Sequence, residues 1–150
     1  MPHEYRVGTD HRVVHSGKAS LFLRSLVGEP AGVAVVSQQF AATAYRGKRV
    51  RVSAFLRSER VARGAELWLS ANGSAGDAGE KSAVRGTTPW KRYELVMDVP
   101  ADADWVAFWL TMRGTGTLWA DDFRFEQVSS AVPLTKTRRQ PENLGFTNAR

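Results

Sequence analysis

Two adjacent carboxylates, Asp121 and Asp122, sit inside the segment GTGTLWADDFRF (Gly114 to Phe125), which otherwise reads as a strand. Its apolar alternation runs through Leu118 and Ala120 and resumes at Phe123 and Phe125, so the inward register slips by one residue at the acidic pair. Such a slip predicts a β-bulge. Carboxylates in a strand bound for a core are costly to bury unless backbone donors, an arginine or a cation compensate them. The strand is therefore expected to carry an ion site as well as core packing.

Aromatic side chains offer a second chemistry. A saccharide-binding face needs flat rings that stack on pyranoses, with hydrogen-bonding groups around them on one rigid surface. Among the five tryptophans, Trp68 and Trp109 form the candidate platform. Strand parity puts them on the same side as Phe55 and Arg113, with Arg57, Glu66 and Gln39 as further polar partners. The alternatives are that both tryptophans pack against a neighbouring loop, belong to the surface of the second sheet, or form a protein interface, where Trp, Tyr and Arg also concentrate.

Catalytic chemistry finds little support. His11 and His15 have H-x-x-x-H spacing, but no helix is predicted to carry them, so a zinc site is not expected. Glycosidases need two carboxylates facing each other across a cleft, and adjacent Asp121 and Asp122 splay apart. No G-x-S-x-G motif is present, and the glycine stretch Gly73 to Gly79 lacks the Lys and Ser/Thr of a phosphate loop. No enzyme activity is expected.

The elements that must position these residues are strands. Period-two alternation with β-branched and aromatic residues recurs at Ser20 to Arg24, Val33 to Phe40, Val50 to Arg57, Ala65 to Ala71, Tyr93 to Val99 and Trp105 to Arg113. The intervening ANGSAGDAGEKSAVRGTTP is rich in turn residues and reads as a loop or a mobile hairpin arm. Only Ala101 to Asp104 suggests a helical turn. The pattern predicts an all-β fold, a two-sheet antiparallel β-sandwich of about eight strands. It occupies residues 1–128, and an irregular tail follows over 129–150.

Composition agrees with one folded domain: 150 residues, 43% hydrophobic and 24% charged, enough to bury a core. Without cysteine there is no disulfide or thiolate chemistry. The net charge of +6 comes from dispersed arginines, with one dense run at Lys136 to Arg139. It reads as a solvated surface rather than a nucleic-acid footprint. The polar opening MPHEYRVGTDHR and the lack of any apolar run near the roughly 20 residues of a membrane span predict a soluble chain without a signal peptide. A secreted parent protein and the cytoplasm both remain open.

Four segments in order, HSGKASLFLRS, YRGKRVRVSAFLRS, TTPWKRYELVMDVP and GTGTLWADDFRF, resemble the galactose-binding-like jelly rolls, in particular bacterial carbohydrate-binding modules of the cellulase-associated type. The resemblance spans most of residues 5–127. It implies a non-catalytic accessory domain that binds a polysaccharide or glycan, or a protein-interaction or sensor domain on the same fold. It also implies a structural calcium bound by Asp121, with Asp122 as second choice, and by backbone oxygens around Ser16 to Lys18. The other reading has Asp121 accepting only protein hydrogen bonds at the bulge. In such modules the first strand resembles NLDFE and lies beside the closing strand, whereas here the similar NLGFT stands at Asn143 to Thr147. Asn143 to Phe146 are thus expected to complete the sandwich edge, in their own molecule or in a strand-swapped homodimer. Alternatively, they open a following repeat.

Overall fold

A computed structural model describes residues 4–73 and 78–135 and contains strands and turns. Seven strands follow in order: β1 (Tyr5–Asp10), β2 (Ser20–Ser25), β3 (Val33–Ala41), β4 (Arg49–Ala71), β5 (Ala78–Asp98), β6 (Trp105–Arg113) and β7 (Thr117–Val128). All pairings are antiparallel, in the order β1-β2-β7-β4-β6-β3, with β5 on β4. The expected all-β fold is present. Among the described residues the strands number seven, where about eight were expected of the chain, and they form one hydrogen-bonded, curled sheet. No described helix is long and apolar enough to cross a membrane.

The curl originates in the β4–β5 ribbon. The first part of β4, Arg49 to Glu59, pairs with β7, while Ala65 to Ala71 pair with β6. β5 follows β4 on its other side through both stretches, with register shifts between Leu56 and Ala65. Bulges bend and twist a ribbon, and positive φ at Arg60, Gly64 and Gly86 accompanies this bend. The sheet thereby has a first half, β1-β2-β7 with the opening of β4, and a second half, β3-β6 with the end of β4.

Two expectations are refined here. The polar stretch after Ala71, expected as a loop or a mobile hairpin arm, is an arm over residues 78–90, which belong to β5 and pair with β4. Continuous pairing with a strand already fixed by its core overrides weak local propensity. Likewise, Val50 to Arg57 and Ala65 to Ala71 are parts of one strand, because bulges rather than a turn join them. Of the segment expected to be an irregular tail, the described residues 129–135 carry no strand. The guanidinium of Arg49 binds the carbonyls of Ser130 and Val132, and the Thr135 amide donates to the Val96 carbonyl at 3.0 Å. Asn143 to Phe146 lie outside the described residues.

Alternate residues of both halves point into a common core. Leu23, Val50, Val52, Leu56, Leu118 and Ala120 from the first half meet Ala34, Leu67, Leu69, Leu110 and Met112 from the second. At the bend, where the ladder breaks, the buried hydroxyl of Ser58 replaces lost backbone pairing. It donates to the Gly86 carbonyl at 2.9 Å and accepts from the Thr88 amide at 3.1 Å. Ser58→Ala leaves both part-buried groups without that partner, and urea unfolding should show a loss of about 1–3 kcal/mol. Ser37→Ala on exposed β3 should stay within ~0.5 kcal/mol. Equal stability of the two variants would show that the hydroxyl does not hold the bend.

Candidate functional site

The second half presents its outward side chains in register. Trp68 on β4 lies directly opposite Trp109 on β6 and Lys81 on β5, and Trp109 lies opposite Ser37 on β3. The two indoles are nearly parallel, with an interplanar angle of 11° and centroids 5.7 Å apart. Both are half-buried. The ammonium of Lys81 stands 5.0 Å from the Trp68 ring centroid and 3.3 Å from a Glu66 carboxylate oxygen. Among the described residues, Trp68 Nε1 is a buried side-chain donor without a hydrogen-bond partner, a cost of about 1–3 kcal/mol.

Next to this pair the face ends in a recess of about 350 Å³ lined by Arg63, Glu66, Arg85, Thr111 and Arg113, among others. Arg113 shares the outward parity of Trp109 and Thr111 on β6, so the structure brings it to the tryptophan side as the sequence implied. Arg63 and Arg85 were missed. They lie in bulged or turn-rich sequence where parity cannot be read, and only the bend places them here.

Phe55 and Arg57 require correction. Phe55 pairs with Asp121 and Arg92, and Arg57 with Trp119, all in the first half. Both residues do point away from the core, but the bend between Leu56 and Ala65 puts them on the first half of the sheet and Trp68 on the second, so pooling the outward residues of the two stretches onto one face was wrong. Phe55 is covered by the His15 imidazole, stacked at 3.7 Å between centroids. The Arg57 guanidinium lies 5.4 Å from the Trp119 centroid.

The acidic pair forms the expected bulge. Ser53 pairs with Arg124 and Phe55 with Asp121, so one β4 residue faces two on β7, and Asp122 has φ of 54°. Asp121 Oδ2 accepts the amides of His15 and Ser16 at 3.0 and 3.1 Å, and its Oδ1 accepts the Asp122 amide at 2.8 Å. Asp122 accepts the Ser16 hydroxyl and, at 2.7 Å, His15 Nδ1. These bonds, that of His15 first, hold the Asp122 carboxyl below its ordinary pKa. The hydroxyl of Ser16 and the imidazole of His15 both bind the carboxylate rather than each other, so this is a clamp on the β1–β2 loop and not a nucleophile arrangement. The Lys18 carbonyl accepts His11 Nδ1 at 3.1 Å. As arranged, N–H and O–H donors point at the carboxylates where a cation would need open lone pairs. No group of three or more His, Cys, Asp or Glu suited to a metal occurs among the described residues.

No family model matches the chain. A protein of Bacillus subtilis (strain 168) described as an uncharacterized HTH-type transcriptional regulator, YbfP, is 34% identical over 157 residues, covering 97% of this chain. The chain spans about half of that relative's length, 53%. Among solved structures, a family 16 carbohydrate-binding module is similar with a TM-score of 0.63 and 16% identity, over 81% of this chain and 86% of the module. The CBM22-1 xylan-binding domain from Paenibacillus barcinonensis gives a TM-score of 0.57 and 13% identity, over 84% and 83%. The enzymatically active domain of tailspike protein 4 from bacteriophage CBA120 gives 0.65 and 12%, over 83% of this chain and 18% of the tailspike. The fold is a jelly roll like that of carbohydrate-binding modules, as the sequence resemblance implied.

The opening loop also rests on Asp10. Its carboxylate accepts the amides of Arg12 and Val13 at 2.8 and 3.1 Å and Trp119 Nε1 at 3.0 Å. These bonds, that of Arg12 first, lower its pKa to about 2. A carboxyl depressed by folding stabilises fully above its unfolded pKa, about 4, and loses that contribution as pH falls through the folded value. Melting temperature should therefore drop between roughly pH 4.5 and pH 2.5, and less steeply in Asp10→Asn. Parallel profiles for the two proteins would remove Asp10 from this role.

Proposed function

We propose that this domain is a non-catalytic saccharide-binding module that serves as the ligand-sensing part of a transcriptional regulator. The observation that carries the reading is the parallel Trp68–Trp109 pair, set by register on one side of a rigid sheet. Aromatic faces of this kind suit the apolar faces of pyranose rings, and the surrounding Glu66, Thr111 and Arg113 supply hydrogen bonds. The free Trp68 indole N–H suits a ligand hydroxyl once Lys81 swings aside. A layered sandwich, with the two halves of the sheet as its layers, is the architecture we assign to this site. The carbohydrate-binding modules of like fold support the ligand class, and the regulator relative supports the sensing role. A protein partner on the same tryptophans is the second reading, and failure of every saccharide to bind would favour it.

The arginine-lined recess extends the reading to saccharides that carry a carboxylate, since guanidinium forks bind carboxylates bidentately. Titration calorimetry against neutral and uronate-containing oligosaccharides should show binding to the intact chain, stronger for the acidic members. Trp68→Ala and Trp109→Ala should each weaken it by about tenfold or more while circular dichroism stays unchanged. Unaltered affinity in both variants would remove the tryptophans from the site.

Calcium at Asp121, Asp122 and the Ser16 to Lys18 carbonyls stands as a separate proposal to test, and the donors that converge on both carboxylates weigh against it. We expect equal melting temperatures in millimolar calcium and in chelator. A native-state ligand at 100-fold over its Kd would add roughly 2.7 kcal/mol, so a reproducible calcium-dependent rise would restore the ion.

A further inference from the structure

The strand β7 is unequally covered. β4 pairs with it from Thr117 to Val128, but β2 accompanies it only from Thr117 to Ala120. The chain before Ser20 cannot continue alongside, because the His15 and Ser16 amides turn it onto Asp121 at the bulge. Among the described residues, the flank of β7 from Phe123 to Val128 that faces away from β4 has no strand beside it. Beside this flank a cleft of about 210 Å³ opens between the two halves of the sheet, lined by Leu21, Val36, Gln38, Phe108 and Phe123, among others. Phe40, Phe108, Phe123 and Phe125 pack on the core there yet remain only partly buried. Open backbone donors beside an apolar cleft favour capture of an extended segment.

We propose that this flank and cleft are the docking site of the chain's own segment Asn143 to Phe146. In an extended segment residues i and i+2 share a face, so Leu144 and Phe146 enter the cleft while Asn143 and Gly145 face outward. The reach is sufficient. Thr135 is hydrogen-bonded to Val96 on β5, Val96 pairs with Arg51 on β4, and Arg51 pairs with Glu126 on β7. Four strand spacings therefore separate Thr135 from a strand added beyond β7, roughly 19 Å. Asn143 lies eight residues after Thr135, a span of up to about 26 Å when extended. The segment thus reaches the flank of its own molecule without help from a second copy.

Hydrogen exchange on the intact chain tests the docking directly. The amides of Phe123 to Val128 that β4 does not engage should exchange at least about 100-fold more slowly than in an open strand edge. Deleting residues 140–150 should abolish that protection and lower the melting temperature by at least ~8 °C, as expected for losing a buried Leu and Phe. Should the shortened chain fail to fold, the double variant Leu144→Ala with Phe146→Ala should show the same loss of protection. Light scattering should give a monomer mass for the intact protein. Rapid exchange along the flank in the intact chain would overturn the proposal, as would protection that survives the deletion. A dimer that becomes monomeric on deletion would also overturn it, since the segment would then come from a second copy.

Discussion

Every pairing in this sheet depends on β4 changing partners along its length, and that change requires a break in the β4–β5 ladder near Ser58. Breaking a ladder in a buried place strands backbone groups, which fold stability does not tolerate unless something else bonds them. The hydroxyls of Ser58, Thr87 and Thr88 supply this. Thr87 accepts the Arg60 amide, and Ser58 and Thr88 bond to one another as well as to backbone. The ribbon then bends with these backbone groups bonded, and β7 and β6 receive different parts of the same strand. The Trp68–Trp109 register is a downstream result of that bend.

The two outward sides of the sheet differ in a way that bears on ligand access. In the first half each aromatic is already engaged: Arg24 lies over Phe22, Arg57 over Trp119, and Trp119 also donates to Asp10. Gly8 beside Phe22 leaves so little room that a Cβ there would sit 3.2 Å from the ring. These rings are covered by arginines and by chain. In the second half, among the described residues, the exposed Lys81 stands over Trp68, and displacing one lysine is a small cost beside the unpicking of a packed, hydrogen-bonded surface.

Much of this was legible in the residues. Alternation placed Val106, Leu110 and Met112 inward correctly, and the register slip at Asp121 and Asp122 located the bulge to the residue. β1 escaped notice because YRVGTD has no clear alternation, and its place beside β2 depends on tertiary pairing. The arm of β5 was legible only as one of two alternatives, because Gly, Ser and Thr carry a turn signal whether or not a partner strand is present. Phe55 and Arg57 were misplaced for a related reason. Alternation separates outward from core-facing residues within a strand, but which half of the sheet an outward residue lies on depends on the bend between Leu56 and Ala65, which carries no hydrophobic signature. The partners of the acidic pair, backbone amides of a loop more than 100 residues earlier, are invisible to any reading of composition or spacing.

The strand order also bears on how the chain acquires its structure during synthesis. β7 joins β2 to β4, and β6 joins β3 to β4, so the earlier strands lack their central neighbours until the last described strands have been made. Loop closure over such separations is slow, and contacts of this kind put folding among the slower classes. On the ribosome, the apolar stripes of β2, β3 and β4 must wait uncovered while the remainder is translated. The nascent chain is thus exposed to aggregation late into translation, and chaperone dependence would be concentrated in that interval.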